Sequence, residues 1–168
     1  MSARTGFRLG PATERDGPVL ADLARFTIER GLPWLWTEPR VGALIRSPDC
    51  EVVVARHGGA LAGFAAMEFY FRERRAHLVL LAVVSAWRRH GVARELLEWL
   101  EKMARLGGIE AIHAEVRAEN LGARRFYAEL GFRETRRMVG YYSGREDALA
   151  LRKSLAARTR DSADGSPI

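Results

Sequence analysis

Residues 88–94 read R-R-H-G-V-A-R, and an amphipathic helix begins on their far side. A helix N-terminus already presents the positive end of the backbone dipole, so a surface helix ordinarily places Asp or Glu there. Arg88, Arg89, His90 and Arg94 crowded around Gly91 point instead to a bound anion. The unpaired N–H groups of a first helical turn suit a phosphate, and Gly91 carries no Cβ to hold it off. Ala93 keeps the second approach small. Directly upstream, residues 78–84 form an apolar run of strand length, and a buried strand leading into a basic, glycine-containing helix start is a phosphate-site arrangement. Neither G-x-G-x-x-G nor G-x-x-x-x-G-K-S/T occurs, which excludes two common phosphate loops. A surface helix start that is merely basic is the alternative this stretch alone leaves open.

The elements that must position this loop follow from the hydrophobic pattern. G-F-R-L-G-P-A-T reads as a short strand entering a turn. Residues 13–31 read as a helix capped by Thr13, with Val19, Leu20, Leu23 and Phe26 at helical spacing. A loop leads to a second short helix from Thr37. E-V-V-V-A-R and A-L-A-G-F-A-A-M-E-F-Y-F, joined by H-G-G, read as a hairpin with glycines at the turn. R-R-A-H-L-V-L-L-A-V-V is expected to be a strand covered on both faces. The helix from Gly91 runs to about Leu106, with Val92, Leu96, Leu100 and Met103 on one face and the pairs Glu98–Lys102 and Glu101–Arg105 on another. E-A-I-H-A-E-V-R is a further strand. N-L-G-A-R-R-F-Y-A-E-L is a helix capped by Asn120 and stopped by Gly131. Two closing strands joined by S-G-R complete an α/β chain with an antiparallel N-terminal half and a strand–helix–strand–helix centre.

At 168 residues, 48% of them hydrophobic and 29% charged, the chain suits one soluble domain over residues 1–155. Residues 156–168 are small and polar, and disorder is expected there. The formal charge is +6, and 25 of the 27 basic residues are arginine. Such a surface attracts nucleic acid, acidic protein and phosphorylated cofactors alike, so charge alone selects none of them. No nucleic-acid motif or interleaved aromatic stripe accompanies it, and no nucleic-acid partner is expected. Residues 1–17 lack an apolar core of the signal-peptide kind, and no apolar run is long enough to span a bilayer as a helix. The single cysteine, Cys50, encodes neither a disulfide nor a cysteine metal cluster. A cytoplasmic protein without membrane attachment is the expectation. His57, His77, His90 and His113 show no metal-ligand spacing, so no metal is expected.

Two segments together carry a resemblance. R-R-H-G-V-A fits the Q/R-x-x-G-x-G/A signature of the GCN5-related N-acetyltransferase (GNAT) superfamily, and N-L-G-A-R-R-F-Y-A-E-L-G-F is similar to its N-x-x-A-x-x-F/L-Y-x-x-x-G-F segment at the usual distance downstream. The likeness is good from Arg75 to about Lys153 and limited to element order before that. Ser85 stands where the family often has proline, and Ala93 where it often has glycine. The resemblance implies a mixed, mostly antiparallel sheet of six to seven strands flanked by about four helices, and acetyl-CoA as co-substrate. It implies a cofactor site at Ala82, Val83, Val84, Arg88, Arg89, His90, Gly91, Val92, Ala93, Arg94 and Asn120. Backbone N–H groups near Val83 would polarise the acetyl carbonyl. N-capping accounts for Asn120 equally well.

The same resemblance implies Tyr127 as the acid that protonates the leaving thiolate, a transfer uphill by about 1.5 pK units or roughly 2 kcal/mol at ordinary values. On spacing alone Tyr127 reads as a core aromatic on an Ala123/Tyr127/Leu130 face. E-V-R-x-x-N, residues 115–120, is similar to a narrower group that acetylates the N-terminal alanine of a ribosomal protein, and to protein N-terminal acetyltransferases. It implies Glu115 as base, direct or through water; a solvated strand carboxylate paired with Arg117 or a neighbour is the other reading. G-Y-Y-S-G-R-E-D-A resembles the subgroup's paired-tyrosine segment, implying that Tyr141 and Tyr142 line a slot for a peptide N-terminus, with Trp34 and Trp36 as further candidates. Strand packing would explain the tyrosines, and a loop anchor the tryptophans. An α-amine acceptor suits a modest base: its pKa of about 7.7–8.0 leaves roughly a tenth or more neutral at pH 7, against about four in ten thousand for lysine. A small-molecule amine is the alternative acceptor, although only Glu38 and Asp49 offer carboxylates over residues 31–49. A non-catalytic acetyl-CoA-binding module is a third reading.

Overall fold

The computed structural model describes residues 6–156. The polar tail lies outside the described residues from 157 onward. In chain order come strand β1 (Arg8–Pro11), helices α1 (Gly17–Thr27) and α2 (Glu38–Arg46), and strands β2 (Cys50–His57), β3 (Ala60–Tyr70) and β4 (Arg75–Val83). Helix α3 (Val92–Leu106), strand β5 (Ala111–Arg117), helix α4 (Leu121–Glu129) and the hairpin β6 (Arg133–Tyr142) and β7 (Glu146–Ser154) follow. Seven strands form one sheet in the order β1-β2-β3-β4-β5-β7-β6. Every neighbouring pair is antiparallel except β4 and β5. This is the mixed, mostly antiparallel α/β architecture the sequence implies. Among the described residues no helix is long and apolar enough to cross a membrane.

The one parallel pair shapes the molecule. β4 and β5 pair only at Arg75–Ala111, Ala76–Ile112 and His77–His113. Immediately beyond, the β3–β4 register shifts, with Ala66 opposite Leu80 and Met67 opposite Leu78. Val79 is therefore the extra residue of a bulge. The bulge turns Val79 and Leu80 toward the same side of the sheet, where both pack with Leu20, Ala24 and Val41 of α1 and α2. Ala76 and Leu78 pack instead with α3. A bulge bends its strand and ends regular pairing. β4 accordingly leaves β5 after His77, and the sheet splits there. Both faces of β4 are covered, with Ala76, Leu78, Leu80 and Ala82 buried and the intervening residues half-buried.

The helix faces differ in detail from the simple spacing. On α3 the buried stripe is Val92, Leu96, Leu97, Leu100 and Ala104, while Met103 is 40% exposed. On α1 it is Leu20, Ala21 and Ala24, while Val19 and Phe26 face outward. Small residues bring the helix close to the sheet, and that leaves the larger ones at its margin. Glu101 and Arg105 do not pair along the helix. Glu101 accepts from the Lys153 ammonium at 2.6 Å and Arg105 donates to the Leu155 carbonyl at 2.8 Å, so both tie α3 to the C-terminal strand.

The start of α3 rests on β3 at Gly63. A Cβ there would stand 2.8 Å from the Ala82 carbonyl oxygen and 3.1 Å from Val92 Cγ1. Backbone cannot yield as a flexible side chain does. Gly63→Ala is therefore expected to cost about 1–3 kcal/mol of stability, read as a lowered midpoint in urea unfolding.

Candidate active site

Helix α3 begins at Gly91, whose φ of 81° lies in the left-handed region, and Arg89 two residues earlier has φ 62°. Glycine takes this conformation without strain, and that is its use here, because a Cβ on Gly91 would meet no neighbouring atom. The reversal turns the loop's amides outward. Glu95 N–H makes the first helical bond, to the Gly91 carbonyl, and Arg88 N–H is held by Ser85. Among the described residues, the N–H groups from Arg89 to Arg94 have no backbone acceptor. They open on a cleft of about 630 Å³ between α3 and α4, lined by Val83, Trp87, Arg88, Arg89, Gly91, Val92, Ala93, Arg94, Gly122, Arg125, Phe126 and Glu129. Four arginines against one carboxylate, together with amides at a helix N-terminus that lack a backbone acceptor, give this wall a donor set that suits an anion.

Most of the residues expected there line it, and four do not. Val84 donates its N–H to the Ala62 carbonyl at 2.8 Å, so that amide is committed to the sheet. Ala82 is buried against α1 and α2, on the far side. His90 turns back, with Nδ1 2.8 Å from the Arg88 carbonyl and its ring edge-on to Trp87. Asn120 accepts from Ala123 N–H at 3.0 Å, which makes it the cap of α4. Trp87, Phe126 and Arg125 were missed. Arg125 lies between Gly122 and Glu129 on the helix face that meets the cleft, and nothing local distinguishes it from Arg124, which pairs with Glu134.

On the other side of the split lies a second cavity of about 440 Å³. Its walls include Ile28, Glu29, Leu32, Leu35, Trp36, Arg40, Glu68, His77, Glu115, Tyr141 and Tyr142. Glu115 meets not Arg117 but His77: Oε2 lies 2.6 Å from His77 Nε2. Arg117 is engaged with Glu146 at 3.1 Å and with the Ile28 carbonyl at 2.7 Å, pinning the end of α1 to the closing hairpin. The hydrogen bond to Glu115 is the largest influence on His77 and holds its pKa above 6.5 against the opposing effect of burial. The charges of Glu115 and Glu68 add to the rise, and Arg75 reduces it.

Tyr141 and Tyr142 both face this cavity, where simple strand alternation would send them to opposite sides. The reason is the register. Between Met138 and Tyr142 the partner strand advances only from Ala148 to Glu146, so two extra residues bulge out. Gly140 permits this with φ 64°. The two rings meet edge to face at 5.0 Å. Burial pushes the Tyr142 hydroxyl up to about 12, with Tyr141 and Glu115 adding to it. Tyr127 is buried between Phe126 and Phe132, at 5.2 and 5.3 Å between rings. Its pKa is raised by burial first, then by Tyr142 and Glu115. It lines neither cavity, but its neighbour Phe126 lines the anion cleft and the Glu115 charge reaches it from the other side.

Of the tryptophans, Trp36 lines the cavity beneath the Arg40 guanidinium, 4.2 Å from the ring centre. Trp34 does not; its Nε1 donates to the Trp36 carbonyl and its ring lies under Arg25. The loop carrying them is fastened by Glu29, which the sequence reading overlooked. Its carboxylate is buried and accepts from the N–H groups of Leu35 at 2.7 Å and Trp36 at 3.2 Å. Glu29→Ala should leave two amides without an acceptor, a loss of about 1–3 kcal/mol. Hydrogen exchange at Leu35 and Trp36 would accelerate about 5–100-fold while the amides of α3 keep their protection.

The comparisons agree with this geometry. Residues 21–132 match the model of the acetyltransferase (GNAT) family. An N-alpha-acetyltransferase of Saccharolobus solfataricus is 36% identical over 83 residues, 49% of this chain and 50% of that protein. The catalytic subunit NAA20 of the N-terminal acetyltransferase B complex of Arabidopsis thaliana is 31% identical over 116 residues, 67% of each chain. The match thus spans half the length of the first of these relatives. The crystal structure of the ribosomal-protein-S18-alanine N-acetyltransferase from Escherichia coli superimposes with a TM-score of 0.79 at 25% identity, covering 92% of this chain and 97% of that one. With a basic cleft at the start of α3, a sheet split beyond His77 and a family match that spans both, this chain belongs to the acetyltransferase (GNAT) family.

Proposed function

We propose that the protein transfers an acetyl group from acetyl-CoA to the N-terminal α-amine of a polypeptide. The observation that carries the reading is the His77–Glu115 pair. It stands in the wall of the second cavity, at the point where the sheet opens toward the anion cleft. The donor set of the cleft fits a CoA diphosphate, which the amides of residues 89–94 and the side chains of Arg88, Arg89 and Arg94 would hold, with Arg125 adding charge from α4. Bound there, acetyl-CoA supplies a thioester carbonyl open to attack by an amine.

The chain's own groups then handle two protons. As the amine nitrogen bonds to the carbonyl carbon, its proton passes to the hydrogen-bonded His77–Glu115 pair. As the carbon–sulfur bond breaks, the Tyr127 hydroxyl gives its proton to the departing thiolate. Tyr141, Tyr142 and Trp36 flank the amine and keep water from it. The similarity to an N-alpha-acetyltransferase and to the catalytic subunit of an N-terminal acetyltransferase complex supports an α-amine over other acceptors.

A small amine is the second reading, favoured by three carboxylates in the cavity: Glu29, Glu68 and Glu115. They come from the turn after α1, from β3 and from β5, not from residues 31–49. Each is already engaged, Glu29 by backbone amides, Glu68 by the Tyr70 hydroxyl at 2.9 Å and Glu115 by His77. The deciding measurement is CoA-thiol release with free-N-terminus peptides, including an alanine-first ribosomal tail, the same peptides blocked at the N-terminus, and common small amines. Turnover confined to free N-termini is expected. Turnover confined to small amines overturns the α-amine reading and leaves the fold and cofactor in place.

A further inference from the structure

The helices leave one face of the sheet bare. α1 packs on β4 and α2 on β2, while α4 joins α3 on the opposite face through Tyr127, Val116, Leu149 and Leu151. The outer half of the sheet, β5–β7–β6, is therefore open on the side that carries His77 and Glu115. Register fixes what lies there. His113, Arg152 and Arg133 stand abreast across the three strands, and one step on come Glu115, Ala150 and Arg136. Arg75 precedes His77 on the same side of β4.

Cationic side chains outnumber carboxylates on this face, where Glu115 is held by His77. Among the described residues none of Arg75, Arg133, Arg136 or Arg152 pairs with a carboxylate. Arg75 lies over the Tyr70 ring at 4.1 Å, and Arg136 reaches only the Met138 sulfur. The nearby acids on β6 and β7 are taken: Glu134 by Arg124, Asp147 by Arg137 and Glu146 by Arg117. Burial and then the charges of Arg152 and Arg75 lower the pKa of His113, as a positive surface should. The face holds a depression of about 430 Å³ lined by Arg75, His113, Arg136 and Met138, and it shares His77 and Glu115 with the proposed acceptor cavity.

We propose that this open face seats the acceptor polypeptide beyond its first residues and selects acidic side chains there. The inference rests on the α-amine reading of the site. From Glu115 to His113 is two residues along β5, about 7 Å, and Arg152 lies one strand over, about 5 Å, which together make about 8–9 Å. An extended peptide covers that in two to three residues, so an amine held at Glu115 brings its third or fourth residue to Arg152 and Arg136. A nucleic acid would find the same charge, but the Tyr70 ring on this face is already covered by the Arg75 guanidinium, and the depression opens into the site at the two residues proposed to take the amine's proton.

The test compares peptides with Asp or Glu at positions three to five against their Asn or Gln isosteres. Steady-state kinetics would be paired with fluorescence anisotropy of an N-acetylated, labelled acidic peptide, which reports binding without turnover. Acidic peptides are expected to have a KM lower by about tenfold at unchanged kcat, as two or three exposed ion pairs allow. The preference should shrink as salt is raised. In Arg152→Glu and Arg136→Glu the acidic peptides should lose their KM advantage over the neutral isosteres, and anisotropy binding should be removed. Equal KM values for acidic and neutral peptides, or a preference that survives both variants, overturns the proposal with the α-amine reading intact. Acidic-peptide binding lost in both variants, without turnover of any free N-terminus, supports the face and sinks the α-amine reading. A labelled single-stranded oligonucleotide that binds more tightly than the acidic peptide, and is lost in the same variants, overturns the proposal in favour of nucleic acid.

Discussion

Replacing Glu115 by glutamine is expected to lower kcat for peptide acetylation by about 10²–10³-fold, the range for loss of a positioned proton acceptor, and to move the acid limb of the pH–rate profile. In the wild-type protein the limb lies above pH 6.5, because the Glu115 hydrogen bond and charge favour protonated His77. While His77 is charged, the pair already holds its proton and has little capacity for the amine's. Removing the carboxylate deletes the largest raising influence and leaves burial and Arg75 acting downward against the smaller upward effect of Glu68, so the limb in Glu115→Gln shifts to lower pH. The acceptor amine ionises identically with both enzymes, so the difference between the two profiles belongs to the pair. His77→Gln separates the roles: it should lose the shifted limb while keeping part of the rate, since Glu115 remains.

Stability carries the same sign. A raised folded pKa means that the contribution of the pair is fully present below pH 6.5 and is lost as pH rises through the folded value. The gap in Tm between wild-type protein and Glu115→Gln should therefore be widest in mild acid and close in alkali. A gap independent of pH would mean that the 2.6 Å contact does not bind His77 in its charged form.

What the sequence revealed, and what it hid, divides by the range of the interaction. The anion cleft was legible because its donors are consecutive: a strand, a left-handed glycine and a helix start lie within residues 78–94, and each leaves a local signature. Asn120 and Gly131 were legible as cap and stop for the same reason. The His77–Glu115 pair was not, because its members are 38 residues apart and meet only through the short parallel register of β4 and β5. His77 then looks like any strand histidine. Glu29 hid inside an amphipathic helix, where its acceptor role depends on how the following loop folds back. The paired tyrosines were visible, but their shared orientation needed two bulged residues that composition does not announce. Phe26 and Met103 fell outside the buried stripes because small residues set how closely each helix approaches the sheet.

Tyr127→Phe is the sharper test of the second proton. The ring is 8% exposed and packed edge-on against Phe126 and Phe132, so phenylalanine fills the same volume and Tm should change little. Any large loss of rate then belongs to the hydroxyl. Burial and the neighbouring Tyr142 and Glu115 make that hydroxyl a weaker acid than an ordinary phenol, so proton donation to a thiolate is uphill by more than the roughly 2 kcal/mol of the unperturbed pair. Such a group is useful only if it delivers the proton as the carbon–sulfur bond breaks, when sulfur is gaining charge in a dry site. The expected result is a fall of about 10²-fold in kcat with KM for the peptide unchanged. Substrates with a more acidic leaving thiol should recover most of the lost rate, because they depart without help. An equal loss for every leaving group would assign Tyr127 to the core alone, as its spacing on α4 first suggested.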